Sequence, residues 1–162
     1  MANPFNFSSG DVLTAAELNS IGDWQAWTPV WNDLTIGNAT VQAKYAEVNE
    51  LVFYSLEMTW GSTTAATSYF EIQAPVQEMN PDVAYFPGGN AIFYNYGTAL
   101  HSGTVIGYND GTTAWLVPWW QAYNAGVGMF IYQGNCNASN PFTWTTGDVM
   151  YLAGFYERSA IT

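Results

Sequence analysis

The segment at residues 51–60 constrains the fold of this chain more than any other, because large side chains occur on both of its faces. Successive side chains of an extended strand point to opposite sides. One face therefore carries Leu51, Phe53 and Ser55, and the other carries Val52, Tyr54, Leu56 and Met58. Bulk on both faces is typical of a strand with neighbours on either side. The sequence thus predicts a central β-strand here.

Two further strand candidates precede this segment, at residues 22–31 and 34–45. The short polar connection Val48-Asn49-Glu50 predicts a hairpin over residues 39–59. Turn-forming residues at Gly37-Asn38 and Gly61-Ser62 mark the ends of this hairpin. The first third of the chain is therefore expected to be mainly extended.

The rest of the chain continues in short extended segments separated by turns. Strands are predicted at 69–73, 90–96, 103–108, 114–120, 129–132 and 149–156, with loops at 63–68, 74–88 and 135–146. The 74–88 loop contains three prolines, and Asp110-Gly111 predicts a tight hairpin turn. Short strands at such regular intervals predict an all-β domain over residues 23–162, an antiparallel β-sandwich of jelly-roll type.

The N-terminal residues 1–22 are predicted to form an arm followed by one short helix. Thr14 and Glu17 match a capping box, and Leu13 and Leu18 match the hydrophobic staple that accompanies it. The helix is expected over residues 15–20, ended by Gly22 in the left-handed region. We interpret this part as an attachment segment, with four apolar contact residues: Phe5, Phe7, Leu13 and Leu18.

Charge and composition narrow the classes of partner. The formal charge is −11, from 13 acids against Lys44 and Arg158 alone, which disfavours binding to nucleic acid and to anionic membranes. No apolar run reaches membrane-spanning length and no signal peptide is visible, so no membrane insertion is expected. Charged residues make up only 9% of the chain, and a surface short of charge and rich in aromatic residues favours contacts between identical copies.

Residues with catalytic chemistry are few. An acyl-transfer triad would need a base, yet His101 is the one histidine and is interpreted as a solvated loop residue. Cys136 is alone and is expected to be buried and inert. Glu57 and Glu71 are the acids within predicted strands, and as a glycosidase pair they are a weak candidate. The Asn-Asp pairs at 32–33 and 109–110 fit turns better than a calcium site, so no metal, cofactor or enzyme activity is predicted.

Aromatic residues crowd the last third of the chain, beside several Asn and Gln. Six of them are candidates for a ligand site or a subunit interface: Trp115, Trp119, Trp120, Tyr123, Tyr132 and Trp144. Such rings stack on sugars, but burial in the core or between subunits is the favoured explanation. Because Trp119 and Trp120 are adjacent, they must point to opposite faces of a strand.

Three segments, Phe7 to Asn19, Trp24 to Trp31 and Leu34 to Tyr45, together resemble a family of bacteriophage minor tail and tail-fibre proteins. In that family a phrase F-x-x-G-D-V-L-T-A-x-x-L-N introduces a domain that begins W-x-x-Y-T-P and continues L-T-x-G-N-G-T-x-x-A-x-Y. The matching residues are Phe7, Gly10 to Ala15, Leu18-Asn19, Trp24, Thr28-Pro29, Leu34-Thr35, Gly37-Asn38, Thr40, Ala43 and Tyr45, with Gly61-Ser62-Thr63 after them. This chain has Trp27 and Ala39 where the family has Tyr and Gly, and Asn49-Glu50 in place of the usual Gly-Lys.

The resemblance implies a β-sandwich component of the virion, commonly trimeric, set at the tail or projecting from the particle and sometimes receptor-binding. It covers residues 5–63 and implies no catalytic residue. The leading hypothesis is a homotrimeric tail protein that contacts other virion proteins and a host-surface glycan or protein. A structural capsid decoration or head-fibre protein is the alternative, and a carbohydrate-active enzyme comes third.

Overall fold

The computed structural model describes Val12, Thr14 and residues 21–77, 85–124 and 129–158; for 123–124 and 129–133 it describes the backbone alone. These residues form ten strands: β1 Gln25–Ala26, β2 Trp31–Thr35, β3 Thr40–Val48, β4 Leu51–Thr59, β5 Ala65–Gln73, β6 Tyr85–Asn95, β7 Ala99–Asn109, β8 Ala114–Asn124, β9 Met129–Asn135 and β10 Val149–Glu157. No helix occurs among the described residues. The all-β prediction is confirmed for that part of the chain.

The predicted arm and the helix at 15–20 lie outside the described residues, as do the attachment residues Phe5, Phe7, Leu13 and Leu18. Gly22, which was expected to end that helix, has φ +73° and lies in the left-handed region as predicted.

One antiparallel sheet contains all ten strands. Its order is β1-β3-β4-β10-β6-β7-β8-β5-β2, and β9 pairs with β8 beside this path. The predicted hairpin joins β3 to β4 in continuous register from Thr40↔Thr59 to Val48↔Leu51. On its other side β4 pairs with β10 along its whole length, so the prediction of a central strand is confirmed. The strand pairing joins the described strands into one continuous sheet, so the predicted two-sheet sandwich stays a prediction.

The sheet curls until its two ends are joined by short stretches of chain. β2 lies at one end and β3 lies next to the other, yet only the turn at residues 36–39 separates them. Just before β2, the Trp27 amide donates to Ala43 of β3, while Val30 accepts from the Gln73 amide of β5. Because both ends are bonded to the segment 27–30, the sheet must wrap around one core.

A latch made of two turns fixes this closure. The Asn38 side chain accepts from the Thr63 amide at 2.9 Å, and the Asn38 amide donates to the Thr63 hydroxyl at 3.0 Å. Glycine is required on both sides: a Cβ on Gly37, where φ is +57°, would lie 2.4 Å from the Thr63 carbonyl oxygen, and one on Gly61 would lie 2.3 Å from Asn38 Oδ1. The latch joins residues that the sequence pattern placed at separate turns.

Two groups of aromatic side chains pack inside the curled sheet, near opposite ends of β4 and β10. One group is Trp27, Tyr54, Tyr156 and Phe86, with ring centroids 5.7–6.4 Å apart in successive pairs. The other is Trp60, Phe70, Phe93, Phe142 and Trp144, in which the Trp60 and Trp144 rings stack at 4.7 Å. Between them lie the aliphatic side chains of β4 and β10, including Leu56, Met58, Met150 and Leu152. Asp148 is fully buried and accepts from the Tyr96 and Thr145 amides, which ties the last turn to this core.

Several predicted boundaries were wrong, for physical reasons. Residues 65–68 were predicted as loop but belong to β5, where small side chains suffice because they pair with the short edge strand β2. β6 begins at Tyr85, within the predicted 74–88 loop, because a bulge between Pro87 and Gly89 accommodates the proline. The predicted strand at 34–45 is two strands, separated at Gly37. The hairpin at Asp110-Gly111 is confirmed between β7 and β8.

Candidate functional site

The candidate aromatic residues are divided between the inner and outer faces of the sheet. Trp144 is only 7% exposed and lies in the core, where its indole N–H donates to the Asn137 carbonyl. Trp120 packs against the same core, and Trp119 points the other way, as predicted for neighbours in a strand. Trp144 and Trp120 are therefore packing residues. The side chains of Tyr123 and Tyr132 lie outside the described residues.

Trp115 is on the outer face and belongs to a row of rings that crosses three strands. The register pairs Tyr85 with Tyr108 and Tyr108 with Trp115, so the three side chains leave the sheet on one side. The Tyr85 and Tyr108 ring centroids are 6.1 Å apart, and Tyr85 is 72% exposed. We call Tyr85, Tyr108 and Trp115 the aromatic platform.

Glu71 fixes the central ring of the platform. The Tyr108 hydroxyl donates to Glu71 Oε1 at 2.8 Å, although β8 lies between β7 and β5. The tyrosine side chain must therefore extend across β8, where Val117 is buried. The side-chain amide of Asn32 donates to Glu71 Oε2 at 3.1 Å, so the buried carboxylate has a partner on each oxygen. Burial, and after it the hydrogen bond to Glu71, raise the pKa of Tyr108 above its ordinary value.

Asp110 fixes the third ring of the platform. Its Oδ2 accepts from the Trp115 indole N–H at 3.0 Å, while Oδ1 accepts from the Thr112 and Thr113 amides and the Thr112 hydroxyl. These hydrogen bonds, led by those from Thr112 and Trp115, hold the pKa of the Asp110 carboxyl below its usual range. The hairpin turn thus keeps a charged acceptor beside an indole of fixed orientation.

A second group of exposed apolar side chains lies elsewhere on the outer face. Phe155 and Tyr151 of β10 are 57% and 41% exposed, and Ile92 of β6 and Leu100 of β7 are 42% and 68% exposed. Tyr151 pairs with Ile92, and the Phe155 ring lies 5.9 Å from that of Phe53. We call Ile92, Leu100, Tyr151 and Phe155 the β10 stripe. Two charged residues lie at the edge of the stripe: Glu57, opposite Tyr151, and Glu157 at the end of β10.

The residues considered for catalysis are not brought together. His101 was predicted in a loop but lies in β7, partly buried with its ring 5.3 Å from Phe142, because the strand extends back to Ala99. Glu57 and Glu71 lie in β4 and β5, which do not pair with each other. Cys136 is fully buried, as predicted, and burial raises the pKa of its thiol. Within the described ranges no cluster of three or more His, Cys, Asp or Glu could hold a metal ion.

Tyr85, Tyr108 and the tethering role of Glu71 were not predicted from the sequence. A signal was present, since Tyr108 and Trp115 flank the Asp-Gly hairpin at positions that a tight turn places opposite each other. Nothing local indicated that β5 would lie next to β8.

Among the residues that the structure describes, no helix has the length and apolar character needed to span a membrane. No protein-family model, curated protein or solved structure matches this chain.

Proposed function

We propose that this chain is a bacteriophage virion protein of the tail-fibre or minor tail type that contributes to binding a receptor on the host surface. The resemblance of residues 5–63 to that family is the sequence ground. The latch supports it, because Gly37-Asn38 and Gly61-Ser62-Thr63, two of the phrases that carry the resemblance, contact each other. A sequence motif whose residues are needed to close the sheet has a structural reason to be shared within a family.

The observation that carries receptor binding is the aromatic platform. Tyr85 is exposed, and Tyr108 and Trp115 are partly exposed and held by hydrogen bonds. Rings held in this way lose little conformational freedom when a ligand covers them, so they favour binding. The ligand would be a glycan or a protein of the host surface. No metal, cofactor or catalytic residue enters this proposal.

The assembly proposed is a homotrimer in contact with other virion proteins and located on the phage particle, at the tail or as a surface projection. The β10 stripe supports contacts between copies, because central strands with exposed apolar side chains and few charges resemble the buried centre of an interface. The proposed finer fold is a sandwich of jelly-roll type preceded by the helix at 15–20. Its support is the core, in which Phe70 of β5 meets Trp60, which follows β4.

Antibody labelling of particles and adsorption to cells test the proposal together. Antibodies against the purified chain should mark the tail or its projections and should block adsorption of the phage. The purified, fluorescently labelled chain should bind host cells and leave non-host strains unlabelled. A chain found on the particle that neither binds cells nor blocks adsorption would contradict receptor binding.

The second candidate is a purely structural part, such as a capsid decoration or head-fibre protein. The β10 stripe favours it to the same degree, since an apolar surface can serve assembly without any receptor. Labelling of the capsid, with no binding to cells, is the result expected of that function. Carbohydrate cleavage ranks third, because Glu71 already has a hydrogen-bond partner on each oxygen and does not lie in a strand next to that of Glu57.

A further inference from the structure

The aromatic platform has the shape of a stacking surface for a small number of rings. Tyr85, Tyr108 and Trp115 lie in three adjacent strands and one row of the register. Adjacent strands are about 4.8 Å apart, so the row extends over roughly 10 Å. That width suits an extended oligosaccharide of two or three sugar units better than a single small molecule.

The orientation of two of these rings is set before any ligand arrives. Tyr108 is tied to Glu71 through its hydroxyl, and Trp115 is tied to Asp110 through its indole N–H. A packing role alone would not require both polar ends to be held on an outer face. Aromatic faces that are fixed and partly exposed stack on the C–H faces of sugar rings without first losing rotamer freedom.

Acceptors for sugar hydroxyl groups lie at the margins of the platform. Asp110 Oδ2 has one described hydrogen bond, from Trp115, whereas Glu71 is buried and its two oxygens accept from Asn32 and Tyr108. A carboxylate offers about four lone-pair sites, so further hydroxyl groups can donate to the exposed Asp110. Gln73 pairs with Trp115 in the next strand and adds an amide on the same face.

The negative charge of the chain favours neutral glycans over anionic ones as ligands of the platform. The chain carries a formal charge of −11, and two carboxylates, Glu71 and Asp110, bind the platform rings directly. A sulfated, phosphorylated or carboxylated sugar would be repelled by both the local and the overall field. A neutral sugar presents only hydroxyl donors to these groups.

We propose that the aromatic platform binds neutral glycans made of hexose or N-acetylhexosamine units, with sugar rings stacked on Tyr85, Tyr108 and Trp115. This inference deepens the proposed receptor function and rests on it for its biological setting. Glu71 and Asp110 act as positioning residues for the rings, and the exposed Asp110 also acts as an acceptor for the sugar hydroxyl groups.

The test uses the full chain and four neutral probes: dextran, mannan, galactan and chitopentaose, with polygalacturonate as the anionic control. Binding is measured by titration of tryptophan fluorescence and by retardation in native gels. At least one neutral probe should bind, and polygalacturonate should not. Trp115→Ala and Tyr85→Ala should each weaken that binding by about tenfold, which corresponds to ~1.4 kcal/mol.

The matched control is Phe155→Ala, which removes a similarly exposed ring from the β10 stripe and should leave glycan binding unchanged. Tyr85→Ala keeps the test valid if Trp115→Ala fails to fold, because Tyr85 is 72% exposed. Failure of all four neutral probes, preference for polygalacturonate, or full binding by both platform variants would overturn the inference.

The same variants separate this inference from the proposed function. A chain that binds host cells equally well with and without the platform rings, and whose platform variants bind no neutral probe less tightly, would keep its receptor function and refute the glycan site. A chain that binds a neutral glycan through the platform but adsorbs to no host cell would support the site and contradict the receptor function.

Discussion

The outer face of the curled sheet exposes rings in two places, and the difference lies in what holds them. In the aromatic platform, Tyr108 and Trp115 are tied to the carboxylates of Glu71 and Asp110. In the β10 stripe, Phe155, Ile92 and Leu100 have no polar group that could be tied, and within the described residues the Tyr151 hydroxyl is not tied to a carboxylate. Both regions are built on the outer faces of central strands, so secondary structure does not distinguish them.

Exposure alone therefore does not identify a ligand site. A ring held by hydrogen bonds loses little entropy on binding and keeps polar groups nearby that can recognise a polar ligand. An untied apolar side chain gains most by leaving water altogether, as it does between two protein copies. The platform is therefore expected to serve a ligand, and the stripe is expected to serve assembly.

The largest expected effect comes from removing the stripe. Phe155→Ser combined with Tyr151→Ser should weaken self-association by about 100-fold, because two exposed apolar anchors at an interface are each worth ~1–3 kcal/mol. Sedimentation at several protein concentrations measures it. Tyr85→Ser is the control, since it removes an exposed ring from the platform and should leave association unchanged. A monomeric wild-type chain, or an equal loss in the control, would break the distinction between the two regions.

The fold was more predictable from sequence than the candidate site. Alternating bulk on both faces of 51–60 identified β4 as central, and Asp110-Gly111 identified the β7–β8 hairpin, because both signals are local. Pro87 concealed the start of β6, because only the sheet around it shows that it lies at a bulge. The roles of Trp144 and Trp115 depend on which strands become neighbours, and no local pattern encodes the adjacency of β5 and β8.

The next largest effect is expected from replacing Glu71, whose carboxylate holds the Tyr108 ring of the platform. Glu71→Ala should lower the free energy of unfolding by about 2 kcal/mol, because it leaves the Tyr108 hydroxyl and the Asn32 amide without their buried acceptor. Glu71→Gln keeps one acceptor oxygen and should lose less. Glu57→Ala is the matched control beside the stripe, a strand glutamate on the outer face, and should change stability by less than ~0.5 kcal/mol. Urea denaturation measures all three, and equal losses at Glu71 and Glu57 would refute the tether.

Alkaline pH tests whether the tethered platform tyrosine behaves like those of the interior. Burial raises the pKa of Tyr54, Tyr156 and Tyr108 above the unfolded value near 10. Since the folded state resists ionisation, this stability is fully present below pH ~10 and is lost as the pH rises further. Each interior tyrosine should cost up to about 1.4 kcal/mol per pH unit above that point.

The measurement is urea unfolding at pH values from 9 to 11, with phenolate absorbance followed in parallel. Tyr54→Phe should reduce the slope of stability against pH by about one proton. Tyr108→Phe should reduce it by less, because the platform is open to solvent on one side. Stability that stays flat up to pH 11 would show that these tyrosines are not held in the protonated form.

The smallest expected effect is that of salt. Salt should act differently on the two regions, because the stripe is expected to bind a charged copy of the chain and the platform a neutral glycan. Copies with a formal charge of −11 repel each other, and raising NaCl from ~0.1 to ~1 M shortens the screening length from about 10 Å to 3 Å. Association through the stripe should therefore tighten several-fold. Binding of a neutral glycan to the platform involves no ion pair, so its dissociation constant should change by less than about twofold. A tenfold loss of glycan affinity in salt would mean that Asp110 pairs with a cationic amino sugar, because only an oppositely charged ligand is weakened by screening.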